Sequence, residues 1–215
     1  MRVPLWLKIG WSVWVLVWAP VYWRQYGAQN FLYFCDLGNV LIALALWLES
    51  SLIISWQATA LLLFQTLYSV DLTGALVTGR HFVGGSEFMF DTGIPLYVRL
   101  LSLFHVLTPP LLLWLIRRLG YDLRGWKCAT LAAWAVVPIC YFWRPRFDVN
   151  WVRGLFGHEQ HVVPGLVYLV AYIVSVPLVV YWPTHKFLKW WERRRGQDAL
   201  GAAGVDARAT KTIGG

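Results

Sequence analysis

The chain has 215 residues, enough for one domain and short for two. Hydrophobic residues make up 58% and charged residues 14%, against roughly 45–50% and 25% in soluble domains, so an ordinary water-soluble domain is excluded. The net charge of +8 sits in short clusters beside apolar blocks, which argues for membrane orientation signals and against a nucleic-acid-binding surface.

Six blocks are long enough to cross a bilayer, which takes about 20 predominantly apolar residues. They cover residues 5–23, 31–48, 52–70, 95–116, 126–142 and 162–182. A backbone in lipid must satisfy its own hydrogen bonds, so each block is expected to be a helix. No alternating short strands suggest a barrel. The fold class expected is therefore all-α, a polytopic six-transmembrane-helix bundle over residues 1–195. Residues 196–215, rich in Gly, Ala and Thr, form an expected disordered cytoplasmic tail.

Arg2 and Lys8 precede an apolar run, the layout with which a signal peptide begins. The first block ends in the bulky run Trp18-Ala19-Pro20-Val21-Tyr22-Trp23-Arg24 with no small-residue cleavage site, so it is expected to stay as a first helix. Trp23, Trp47, Trp56, Trp114, Trp126, Trp143, Trp182, Trp190 and Trp191 cluster near the predicted helix ends, as an interfacial aromatic belt does.

Orientation follows the basic residues. With the N-terminus inside, the inner segments hold Arg2, Lys8, Arg117, Arg118, Arg124, Lys127, Lys186, Lys189, Arg193, Arg194 and Arg195. The outer segments hold Arg24, Arg80, Arg99, Arg144, Arg146 and Arg153. Eleven against six places both termini in the cytoplasm of an inner (plasma) membrane. The long outer connections, residues 71–94 and 143–161, are where function is expected. No internal repeat of the kind seen in transporters is visible, which ranks a small transporter last.

Ionisable groups inside a span cost about 2.5–3.5 kcal/mol on insertion scales, so each needs a reason. In the second block Cys35, Asp36 and Asn39 share one side of a helix. They form either a polar site holding a thiol or an interhelical hydrogen-bond cluster. Gln65, Tyr68 and Asp71 recur at spacings of three in the third block, and Arg99, Ser102 and His105 do so in the fourth. Pairing of Asp36 or Asp71 with Arg99 would explain these charges without catalysis. His105 lies near mid-membrane just before Pro109-Pro110, which are expected to kink the helix. All these groups are expected to converge in one cavity in the outer half.

Arg144-Pro145-Arg146 suits a lipid phosphate, which guanidinium groups bind bidentately. His158-Glu159-Gln160-His161 lacks the spacing and third ligand of a zinc site. No phosphate-binding glycine loop or nucleophile elbow occurs. No metal and no cofactor is expected.

The phrases "VYWRQYGAQNFLYFCDLGN", "LWLESSLIISWQA", "TGRHFVGGSEFMFD", "LSLFHVLTPPLLLWLIRRLGYD" and "YWPTHKFLKW" resemble a family of uncharacterised bacterial multi-pass membrane-associated proteins. That resemblance covers nearly the whole chain up to the tail and implies a location without an activity. A shorter resemblance is to the YwaF-like membrane proteins and their eukaryotic acyltransferase relatives, which also carry Cys-Asp at the start of an early helix and a His in a later one. It implies Cys35 as nucleophile and His105 as its base, with Asp36 or Asn39 orienting the His.

Two functional readings stand foremost. One is a lipid-handling protein with an outer-half polar cavity, working as an intramembrane acyl-transfer enzyme through Cys35, His105 and Asp36. There Asn39, Gln65, Tyr68, Asp71, Arg99, Arg144 and Arg146 bind lipid or substrate. The other is a non-enzymatic membrane component that binds a lipid or a membrane protein partner.

Overall fold

The computed structural model describes residues 3–143, 148–155 and 158–194. Among these, every regular element is helical. The long helices are α1 (Leu5–Tyr26), α2 (Phe34–Leu48), α3 (Ser51–Thr78), α4 (Leu96–Leu101), α5 (Phe104–Leu119), α6 (Gly125–Trp143) and α7 (Gly165–Arg194). Short 3-10 turns cover Ala28–Leu32, Glu87–Met89 and Val149–Trp151.

Five helices are long and apolar enough to cross a membrane: α1, α3, α4 with α5, α6 and α7. Their outward faces are apolar as well. Leu5, Ile9, Val13, Leu16 and Val17 on α1, and Leu166, Val170, Val174 and Leu178 on α7, are all exposed. In water such continuous apolar surface would be an aggregation liability; against acyl chains it is the expected exterior.

The expected second crossing, residues 31–48, is not one helix. Gly27, at φ +83°, ends α1. A 3-10 turn and the extended Tyr33 intervene before α2 begins. The 15 residues of α2 span about 22 Å, short of the roughly 30 Å hydrocarbon core. The count of six full-length helices is thus not met.

The third block was expected to end at residue 70 and instead continues to Thr78, two turns further. The fourth breaks at Ser102 and Leu103, where Ser102 N–H bonds to the Arg99 carbonyl at 3.0 Å and Leu103 N–H to Leu100 at 3.1 Å. Pro109 and Pro110 have no N–H for the carbonyls of His105 and Val106, so the segment loses rungs there. The irregularity falls upstream of the prolines. In α7, Pro177 opens a π-helical turn, Pro177–Tyr181, and frees the Ile173 carbonyl. The Trp134 indole N–H of α6 donates to that carbonyl at 3.3 Å.

The long helix α3 is the axis of the bundle. Its Ile54, Ala58, Leu61 and Leu62 join Ile42 and Leu46 of α2, Leu112, Leu115 and Ile116 of α5, and Ala129, Ala133 and Val137 of α6 in one core. At Gly125 a side-chain carbon would lie 2.6 Å from the Ser55 backbone, so the start of α6 approaches α3 as closely as only glycine allows. A second cluster forms around the fully buried Trp18, whose ring sits 5.1 Å from Tyr22, 5.4 Å from Phe31 and 6.0 Å from Phe104.

The two ends of the bundle differ. One carries the short connections and the basic side chains. Lys8 pairs with Glu49 at 2.7 Å, Asp122 N–H donates to Ser55 Oγ at 2.8 Å, and Tyr121 N–H donates to Glu192 Oε1 at 2.8 Å. Arg124 hydrogen-bonds to Asp122 and holds its carboxyl below the usual carboxylate range. Arg117 stacks on Trp191, Arg118 on Trp114 and Arg194 on Trp190, at 4.3–4.8 Å. The opposite end is covered by the two long connections.

Asn150 pins one of those connections into the bundle. Its Oδ1 accepts from Phe34 N–H at 3.1 Å, its Nδ2 donates to the Leu32 carbonyl at 2.7 Å, and its own carbonyl accepts from Tyr172 Oη at 2.7 Å. It sits at φ +59°, a left-handed conformation that asparagine tolerates better than most residues. Replacing Asn150 with Ala leaves two backbone groups of the α2 entry unpaired and is expected to cost about 2–4 kcal/mol. The readout is a lower melting temperature in detergent. Asn150→Gly suits the φ but removes the same side-chain bonds, so it too should melt early; a Gly variant as stable as the parent would show that the bonds are not what holds the loop.

Candidate functional site

The loop-covered end holds a partly open cavity of about 400 Å³. Tyr22 and Tyr26 of α1, Cys35 and Asp36 of α2, and Phe64, Gln65 and Tyr68 of α3 form its walls. Ser102 and His105 enter at the α4–α5 junction, Val83, Gly84, Gly85 and Phe88 from one long connection, Asn150 and Trp151 from the other, and Tyr172 from α7.

The helix break sets the geometry of His105. The Ser102 hydroxyl shares a short hydrogen bond with the Tyr22 hydroxyl. The Ser102 carbonyl accepts from the His105 backbone N–H at 3.1 Å and lies 2.7 Å from His105 Nδ1. A carbonyl can only accept, so Nδ1 carries the proton and Nε2 keeps its lone pair. The ring stacks on Tyr68 with centroids 4.5 Å apart.

Asp36 lies in the first turn of α2, where the helix dipole favours a carboxylate. It is buried, accepts a short bond from Asn30 Nδ2, and receives the Cys35 thiol at 3.9 Å. Cys35 is half-buried. Among the described residues no hydrogen bond links Cys35 to His105, although both line the cavity.

Gln65 and Tyr68 stand out among the buried polar groups of the wall. They are only 2% and 8% exposed, yet neither end of the Gln65 amide and not the Tyr68 hydroxyl has a hydrogen-bond partner among the described residues. Native structures satisfy the great majority of buried polar side-chain atoms. Both residues line the cavity, one helical turn apart on α3.

Asp71 does not face this space. Its Oδ1 accepts from the backbone N–H groups of Phe82, Val83 and Gly84 at 2.7, 2.7 and 2.9 Å. Its Oδ2 accepts from Ser86 Oγ at 2.5 Å and lies 2.8 Å from His81 Nδ1. Gly84 and Gly85, at φ +94° and +95°, give the loop the turn that gathers these donors. The carboxylate thereby folds residues 81–86 over the cavity. Ligand atoms of Asp71, His81 and Glu87 lie within 4.8 Å of one another, but a cation there would compete with five existing donors.

The expected grouping is therefore met in part and corrected in part. Cys35, Asp36, Gln65, Tyr68, Ser102 and His105 come together. Arg99 does not pair with Asp36 or Asp71; its Nη1 donates to the Met89 carbonyl at 2.8 Å, because the backbone of the connecting loop satisfies Asp71 first. Asn39 is buried below the cavity, with its carbonyl accepting from Trp11 Nε1 at 3.0 Å and its amide unpartnered. Arg144 and Arg146 lie outside the described residues. Tyr22, Asn150, Trp151 and Tyr172 were not expected; of these only Asn150, a polar residue at a left-handed turn, left a trace in the sequence.

No family model, no curated protein and no solved structure matches the chain.

Charge-assisted bonds from Asp71 should dominate the position of the covering loop. In Asp71→Asn the loss of charge is expected to weaken that hold by about 1.5–3 kcal/mol. Amide hydrogen exchange at Phe82, Val83 and Gly84 should then speed up about tenfold or more, with the α3 core amides unchanged. Equal protection in both proteins would remove Asp71 as the anchor.

Proposed function

We propose that the chain is an integral membrane protein of six crossings that binds a lipid-like amphiphile in the loop-covered cavity. The observation that carries this reading is the pair Gln65 and Tyr68, buried and unpartnered in a cavity whose other walls are largely aromatic and aliphatic. Convergent polar groups in an apolar pocket are the usual make-up of a small-molecule site, and about 400 Å³ falls within the roughly 300–1,000 Å³ of such sites.

Support for six crossings comes from alternation. Lys8 and Glu49 meet at the basic end, as do Ser55 with Asp122 and Tyr121 with Glu192. Tyr22, Asp36 and Tyr68 meet at the other. On this reading α2 carries the chain back through the bundle despite its length, and both termini lie on one side. The basic end then faces the cytoplasm by the positive-inside rule, at the inner membrane of a bacterium.

A second reading, acyl transfer, is favoured by the protonation pattern of His105. With Nδ1–H held by Ser102, Nε2 is available to take the Cys35 proton as the sulfur attacks an ester carbonyl and to return it to the alcohol oxygen that leaves as the C–O bond breaks, giving a thioester on Cys35. The resemblance to the YwaF-like proteins and their acyltransferase relatives points the same way. The reading requires Cys35 to turn from Asp36 toward His105 when substrate is present.

Two measurements test these statements. A reporter fused after Arg195 should be cytoplasmic and one inserted near Gly84 periplasmic; a further reporter at the N-terminus should share the cytoplasmic side with the one after Arg195, and opposite sides for the two termini would refute six crossings. For the cavity, N-ethylmaleimide labelling of Cys35 should slow when a total lipid extract is added to the detergent-purified protein. Cys128, at the start of α6, serves as the reference. Equal slowing at both cysteines, or none at Cys35, would sink amphiphile binding. A hydroxylamine-labile acyl adduct on Cys35, lost in Cys35→Ala, would promote the second reading over the first.

A further inference from the structure

Resting on the cavity as an amphiphile site, we propose that it selects single-chain amphiphiles with an uncharged, hydroxyl-bearing headgroup and rejects those bearing phosphate. Charge comes first. No Lys or Arg is among the described residues lining the cavity, whereas Asp36 is. A phosphate drawn into this space would be taken from water without a counter-charge and set near a carboxyl group, which is costly in a low-dielectric interior.

Hydrogen-bond matching points the same way. The Gln65 amide offers a donor and an acceptor, the Tyr68 hydroxyl offers both, and His105 Nε2 offers an acceptor. A hydroxyl group donates and accepts, so it answers both kinds. A phosphate dianion only accepts and leaves Gln65 Oε1 and His105 Nε2 unmatched. A primary ammonium only donates and leaves the Gln65 N–H groups unmatched. Size limits the rest of the ligand: about 400 Å³ is near the lower end for small-molecule sites, which suits one chain rather than two.

The test uses three probes of equal chain length on the detergent-purified protein: 1-monooleoylglycerol, oleoyl lysophosphatidate and oleylamine. Each is titrated against N-ethylmaleimide labelling of Cys35, with Cys128 as reference. Monooleoylglycerol should protect Cys35 at a concentration at least tenfold lower than lysophosphatidate or oleylamine. Tyr68→Phe and Gln65→Leu should each weaken that protection about tenfold, the worth of roughly one buried hydrogen bond. Because the removed atoms have no protein partner, neither change should lower the melting temperature of the lipid-free protein. Lysophosphatidate or oleylamine protecting as well as monooleoylglycerol would overturn the headgroup selection and leave amphiphile binding standing. Protection by none of the three would overturn both. If a variant fails to fold, the three-probe comparison on the parental protein decides alone.

Discussion

A polar group inside an apolar bundle must find its partner in the same chain, and much of this architecture answers that requirement. Asp71 is the strongest case: a carboxylate within a long apolar helix is made tolerable by five donors from a single returning loop. Asn150 does the same for the broken entry to α2, and the Trp134 indole serves the carbonyl that Pro177 leaves open. For Asn150 and Trp134 the satisfying group lies far along the chain from the exposed one, and for Asp71 it lies in the loop that follows its helix. Each such bond therefore also fixes tertiary structure, and the two long connections become parts of the bundle rather than tethers outside it.

Against that background, Gln65 and Tyr68 carry weight. A chain that brings three backbone N–H groups to one carboxylate oxygen can satisfy an amide and a phenol one helical turn away. It leaves them unpaired in the wall of the cavity that His105 also lines, and the proposed ligand site rests on that. Replacing a buried unsatisfied polar group with an apolar one of similar shape is often neutral or stabilising, so a structural role alone would not retain them. The same argument separates Asn39 from the pair: its amide is also unpartnered, but it does not line this cavity.

Much of the fold was legible in the sequence, because apolar blocks of bilayer length leave the backbone little choice but helix. Block edges were less so. The end of α3 was misplaced because Asp71 looks like a helix terminator when its loop partners are unknown; with the charge satisfied locally, the helix has no reason to stop. Arg99 was assigned to an aspartate on charge alone, and a backbone carbonyl proved a sufficient partner. Six cavity residues, Cys35, Asp36, Gln65, Tyr68, Ser102 and His105, could be picked out because each is polar within an apolar run. Tyr22, Trp151 and Tyr172 could not, since an aromatic residue near a helix end reads equally well as an interfacial anchor.

The feature that defeated a simple count of helices also makes the cavity. Where a full second crossing would begin, the chain instead runs through a 3-10 turn and the extended Tyr33, and α2 starts only at Phe34. At that level the bundle lacks one helix's worth of side chains between α1 and α3. Space is left between Tyr22 and Tyr26 on one side and Gln65 and Tyr68 on the other. A gap open to lipid would expose the late start of α2, with its unpaired N–H groups, to hydrocarbon. Asn150 takes up the Phe34 N–H, and Asp71 holds the glycine-turned loop above. The short helix creates the space, the two pinned loops close it, and the α4–α5 break aims Ser102 and His105 into it. Lengthening α2 to a regular crossing would fill this space; on the proposed reading, the irregularity of the helix is what makes room for the ligand.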